Sequence, residues 1–83
     1  MSLTVVVQET ALGALARIRA EDKDAFASIK RALAALAEQP HPGQAVAWGG
    51  SGIYRLHLPG TRILYEVDES AATVYVINVA LTV

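Results

Sequence analysis

The most regular alternation of apolar and polar positions in the chain runs from Ile53 to Asp68, IYRLHLPGTRILYEVD. Tyr54, Leu56 and Leu58 before Pro59-Gly60, and Ile63, Tyr65 and Val67 after it, recur with the period of one face of a β-strand. Arg55 and His57 on the first arm and Arg62, Glu66 and Asp68 on the second fall on the opposite face. This pattern predicts a hairpin with one apolar side and one polar side that is basic near its turn. Pro-Gly favours a type II turn, whose twist suits a tight hairpin poorly, and so predicts a loop longer than two residues. With a loop of Pro59-Gly60, or one from Leu58 to Thr61, His57 lies across from Arg62 and Arg55 follows on the same surface. Two guanidiniums and an imidazole then converge.

The remaining elements follow from simpler patterns. Leu3 to Val7 is a β-branched run that predicts a short buried strand. From Ala11 to Ala20 a first helix is predicted, with Thr10 as its cap, Gly13 as a weak point and Leu12, Leu15, Ala16 and Ile18 as its apolar stripe. Glu21-Asp22-Lys23-Asp24 interrupts that stripe, and Asp22 is placed to cap a second helix. Phe26, Ile29, Leu33 and Leu36 recur at helical intervals, and this stripe is expected to pack on the apolar face of the hairpin. Pro40 and Pro42 end that helix, since neither can donate to a continuing ladder. His41 between them reads as exposed and inert.

Ala45 to Trp48 reads as a short strand or extended segment, and Gly49-Gly50-Ser51-Gly52 as a turn into the hairpin. A phosphate-cradling loop would require a following helix and a lysine, and neither is present. Trp48 reads as a core or rim aromatic, or as a platform for a nucleobase. Thr73 to Val79 is apolar on both faces apart from Asn78, as in a strand interior to its sheet, here beside the first strand. The fold class predicted is α+β: two antiparallel helices packed on one face of a mostly antiparallel twisted sheet, in the order β-α-α-β-β-β.

Composition bounds the chemistry. Eighty-three residues predict a single domain spanning 1–83. Cysteine is absent and there are only two histidines, so no disulfide, metal site or cofactor is expected. The apolar fraction is 53%, yet no run approaches the ~20 residues of a membrane span. The segment MSLTVVVQET lacks the basic and long apolar parts of a secretory signal, and a cytoplasmic protein without membrane attachment is expected. The net charge of −1 argues against a chain that grips nucleic acid over its whole surface. From Gln39 to Tyr65, however, no acidic residue occurs, so any anion site belongs to the hairpin.

The run YRLHLPGTRILYEVDE followed by VYVINV resembles the RelE/ParE superfamily of toxins from bacterial toxin-antitoxin operons. The resemblance implies a toxin held by a cognate antitoxin protein, with the ribosome and its messenger RNA as target and translation inhibited by mRNA cleavage. Arg62, in TRILYEV, matches the arginine most widely shared in that family. Arg62 and Arg55 would hold the phosphate by bidentate hydrogen bonds, and His57 is the neighbouring side chain suited to proton transfer at neutral pH. These three are the candidate catalytic residues. Relatives on the RelE side are strongly basic and carry basic or tyrosine residues after the last strand. Here that strand runs into Ala80-Leu81-Thr82-Val83. A ParE-like inhibitor of DNA gyrase, which needs no nucleolytic residues, and a non-toxic interaction module are the alternatives. On the last of these, Arg55, Arg62, Glu66 and Asp68 would form a cross-strand charge ladder on a wet sheet face.

Overall fold

The computed structural model describes residues 2–50 and 52–82. The chain folds as β1 (Thr4–Val7), α1 (Glu9–Glu21), α2 (Lys23–Glu38), β2 (Ala45–Ala47), β3 (Ile53–Leu58), β4 (Thr61–Asp68) and β5 (Thr73–Leu81). The short segment before the glycine-rich turn is a paired strand, so the order is β-α-α-β-β-β-β. The strands form one sheet in the order β1-β5-β4-β3-β2, antiparallel except where β1 runs parallel to β5. As the interior position of β5 requires, Val74 and Val76 are fully buried. No helix is long and apolar enough to cross a membrane among the described residues.

Helix α1 starts two residues earlier than its apolar pattern indicates, at Glu9. Gln8 precedes it without a side-chain cap, and Thr10 lies inside the first turn. Its buried face is Ala11, Ala14 and Ile18, with Leu15 partly buried, whereas Leu12 and Ala16 face solvent. The small alanines let the helix backbone lie close to β5, a gain that the larger Leu12 would forfeit on that face. Asp22 closes α1 through its backbone N–H to the Ile18 carbonyl (2.7 Å) and opens α2 by accepting from the Ala25 N–H (3.0 Å). One extended residue therefore turns the chain from one helix into the next.

The core forms where Ile29, Leu33 and Leu36 of α2 and Ala11 and Ile18 of α1 meet Leu56, Ile63, Tyr65, Val67, Val74, Val76 and Val79 of the sheet. Phe26 is only partly buried, and Arg19 and Lys30 each stand 5.8 Å from the centre of its ring. The hairpin faces are as the alternation indicates, with Leu58 paired to Thr61 and His57 to Arg62. The loop, however, is the two residues Pro59-Gly60. Gly60 takes φ +74, the left-handed value of a type II turn, and its carbonyl accepts from the Thr82 N–H at 2.9 Å. The end of β5 thus anchors a turn whose twist alone would not favour it.

The linker after α2 is tied to the core by aromatic contacts. The fully buried Tyr65 donates its hydroxyl to the Pro40 carbonyl (2.7 Å), and Tyr54 stacks on Tyr65 with ring centroids 5.7 Å apart. His41 meets Tyr54 edge-on at 4.8 Å, and its Nε2 stands 3.6 Å from Glu69. His41 is exposed, as its setting between prolines suggests, but it is a structural contact of the linker.

Two outcomes follow. Leu33→Ala should destabilise the chain by about 2–5 kcal/mol in urea denaturation, with Phe26→Ala costing less because part of its ring already meets solvent. Burial, with the neighbouring Tyr54 adding to it, raises the Tyr65 hydroxyl from 10.0 to about 12. The folded chain then holds that proton more tightly than the unfolded one. Its contribution is complete below pH 10.0 and is lost as pH rises towards 12. Tyr65→Phe should cost about 1–3 kcal/mol at neutral pH, by leaving the Pro40 carbonyl unpaired, and should flatten the alkaline decline.

Candidate functional site

Both helices lie on one face of the sheet, so the other face is uncovered. Cross-strand pairing sets its neighbours: Ile53 lies beside Glu66, Arg55 beside Leu64, and His57 beside Arg62. On the far side of β4, Leu64 lies beside Asn78 and Arg62 beside Ala80. This register does not produce a charge ladder, because each arginine faces an apolar residue or the imidazole. Among the described residues, neither Arg55 nor Arg62 pairs with a carboxylate. Asp68 at the far end of β4 is engaged locally: hydrogen bonds from the Ser70 hydroxyl (2.7 Å) and the Ala71 N–H (3.1 Å) hold its carboxyl below the usual range.

Arg55 and Arg62 line one cavity of about 190 Å³ together with Trp48, Leu64, Asn78, Val79 and Ala80. Trp48 follows β2 and extends its pairing with β3 by donating its backbone N–H to the Ile53 carbonyl (2.9 Å). This puts the indole on the uncovered face, with the Arg55 guanidinium 4.1 Å from the ring centroid. Trp48 remains 47% exposed, which makes it a rim aromatic and leaves surface for a ligand. Arg55 also donates from Nε to Nε2 of His57 at 3.3 Å. In this arrangement the one lone pair of the neutral imidazole, on Nε2, is taken up by Arg55, and it becomes free to accept a proton only when that hydrogen bond is released. His57 stands beside the cavity and is not part of its lining.

The three candidate residues are thus neighbours on one open face. Sequence reasoning missed Leu64, Asn78 and Ala80. Leu64 was legible, since the alternation that places Arg62 and Glu66 on the polar face places Leu64 between them. Asn78 and Ala80 were not. Strict alternation from the buried Val74 and Val76 would turn Asn78 and Ala80 into the core. A bulge intervenes: Leu64 pairs with Asn78 but Tyr65 with Val76, so Ile77 is an extra residue. Beyond it the faces exchange, Val79 enters the core, and Asn78 and Ala80 reach the cavity.

Chemically, two cations unpaired by carboxylates, a hydrogen-bonding amide and apolar walls suit an anion attached to a flat apolar group. Among the described residues no group of His, Asp and Glu converges as metal ligands would.

No curated protein sequence matches the chain at a significant level. Among solved structures, the isolated RelE toxin of E. coli superposes with a TM-score of 0.85 at 21% identity, covering 99% of this chain and 86% of that one. The RelBE2 toxin-antitoxin complex of Mycobacterium tuberculosis gives 0.83 at 20% identity, covering 99% and 100%. The archaeal RelE-RelB complex of Pyrococcus horikoshii OT3 gives 0.83 at 18%, covering 98% and 96%. At these identities the likeness establishes the fold. The family described as the ParE toxin of the type II toxin-antitoxin system parDE matches residues 5–81, nearly the whole chain, and the protein therefore belongs to that toxin family within the RelE/ParE superfamily.

Proposed function

We propose that this toxin inhibits translation by cleaving messenger RNA on the ribosome, with the uncovered sheet face as its working surface. The observation that carries this reading is the pair Arg55 and Arg62, which share a cavity with an exposed tryptophan and are not neutralised by a carboxylate among the described residues. A phosphodiester supplies the charge that the guanidiniums lack, and an unpaired base suits the aromatic rim. In the reaction, Arg55 releases His57 Nε2 as its guanidinium meets the phosphate, and the freed lone pair takes the proton of the 2′-hydroxyl as its oxygen attacks phosphorus. Arg55 and Arg62 stabilise the crowded phosphate, and the P–O5′ bond breaks as the 5′-oxygen takes a proton from water, leaving a 2′,3′-cyclic phosphate. No proton-transferring side chain lines the cavity itself among its described residues, so the ribosome is expected to orient the 2′-hydroxyl towards His57.

A second reading is favoured by the net charge of −1 and by the uncharged run Ala80-Leu81-Thr82-Val83, which together suit ribosomal RNA poorly. On that reading the toxin inhibits DNA gyrase without nucleolytic chemistry. The solved relatives include complexes of RelE with RelB, which supports a cognate antitoxin as the resting partner here.

Induction in cells, with ribosome-bound mRNA cleavage and gyrase-dependent DNA breakage followed side by side, separates the two. On the cleavage reading Arg62→Ala abolishes growth arrest, a loss of about 2–4 kcal/mol of phosphate stabilisation, and His57→Ala slows cleavage roughly 10²–10⁴-fold. Both variants should stay folded, because both side chains lie on the face away from the core. Unchanged arrest in both, with DNA breakage, would overturn it. The antitoxin encoded beside the toxin should raise its melting temperature when the two are mixed, since binding to the folded state alone stabilises it by mass action. Equal melting temperatures would contradict that partnership.

A further inference from the structure

We infer that Trp48 is a positioning residue for Arg55, holding the guanidinium in the orientation in which its outer nitrogens face the cavity. The inference rests on the reading of that cavity as the site of action. Arginine is long and flexible, and on an open sheet face its guanidinium would sample many rotamers and lose entropy on meeting a phosphate. Here it is held at two points. The indole covers its flat face at 4.1 Å, and His57 Nε2 accepts from its Nε at 3.3 Å. Together these contacts fix the plane and the roll of the group. Among the described residues the terminal Nη nitrogens have no protein acceptor, so the hydrogen bonds that remain are directed outward.

The local backbone is built to deliver the indole. Trp48 does not pack into the core, which on this edge is met by Ala45, paired with Leu56, and by Tyr54. Its backbone N–H to Ile53 and the left-handed glycines Gly49 (φ +68) and Gly52 (φ +80) return the chain so that Trp48 falls on the same face as Arg55. A Cβ on Gly52 would meet the Val67 carbonyl at 3.1 Å, so this turn is constrained to its course. Trp48 therefore affects the site through Arg55, and its remaining exposed surface is a consequence of standing at the rim.

Two readouts test this, one of them independent of activity. In the free protein, NMR should show the Arg55 side-chain protons shifted upfield by the indole ring current. That shift should disappear in Trp48→Ala and largely persist in Trp48→Phe. Arg55 protons at ordinary positions, or unmoved by Trp48→Ala, would overturn the inference. In induced cells, Trp48→Ala should weaken growth arrest by about the same factor as Arg55→Ala. Trp48→Phe should restore most of it, and the double variant should be no weaker than Arg55→Ala alone. A double variant clearly weaker than Arg55→Ala would overturn the inference in favour of Trp48 touching the target directly. If Arg55→Ala arrests growth as the parent does, the cavity is not the site of action, and the NMR comparison alone decides whether Trp48 positions Arg55. Trp48 lies outside the core, and thermal melts of each variant check that the fold is kept.

Discussion

The parallel pairing of β1 with β5 is the constraint on which the rest of the structure depends. Two parallel neighbours cannot be joined by a tight turn, so the chain between them must leave the sheet and return. Here that excursion begins with α1 and α2, which turn on Asp22 and bury their apolar stripes on one face only. The other face receives no helix. An uncovered sheet face is thus a direct result of the topology, and it is where the arginines stand.

The core and the candidate site are divided between the two faces of the same strands. On β4, Ile63, Tyr65 and Val67 belong to the core, while Arg62 and Leu64, which alternate with them, belong to the cavity. The period of a strand makes this division strict, because a slip of one residue would exchange the two sets. Several contacts hold the register. Tyr65 reaches across to the Pro40 carbonyl, and Thr82 fastens the hairpin turn through Gly60. Both contacts come from outside the hairpin they secure, so the placement of the arginines depends on the linker after α2 and on the end of β5.

The charge distribution fits such a local site. A net charge of −1 provides no long-range attraction for nucleic acid, so the proposed binding of RNA would have to come from a few well-placed groups. Arg55 is restrained by Trp48 and His57, and Arg62 faces the same cavity from the next strand. Preorganisation of this kind reduces the ordering cost that a flexible cation would meet on binding.

Within the chain, local periodicity determined the hairpin faces, the stripe of α2, the cap at Asp22 and the interior position of β5, since each depends on side-chain spacing or on a residue's own hydrogen-bonding groups. It also placed Arg55, His57 and Arg62 on one surface, because the pairing of two adjacent strands follows from their turn. Other features came from contacts between distant segments. The two-residue turn is secured by Thr82, the aromatic stack of Tyr54 and Tyr65 enlists His41, and the stripe of α1 is chosen by how closely alanines let it approach β5. Asn78 and Ala80 reach the cavity only because Ile77 bulges, a departure in backbone pairing that a strand with apolar residues on both faces does not signal by its alternation. Only the tertiary structure could decide these, because each is settled by what lies opposite a residue in space, whereas alternation records only which side of its own strand or helix a residue occupies.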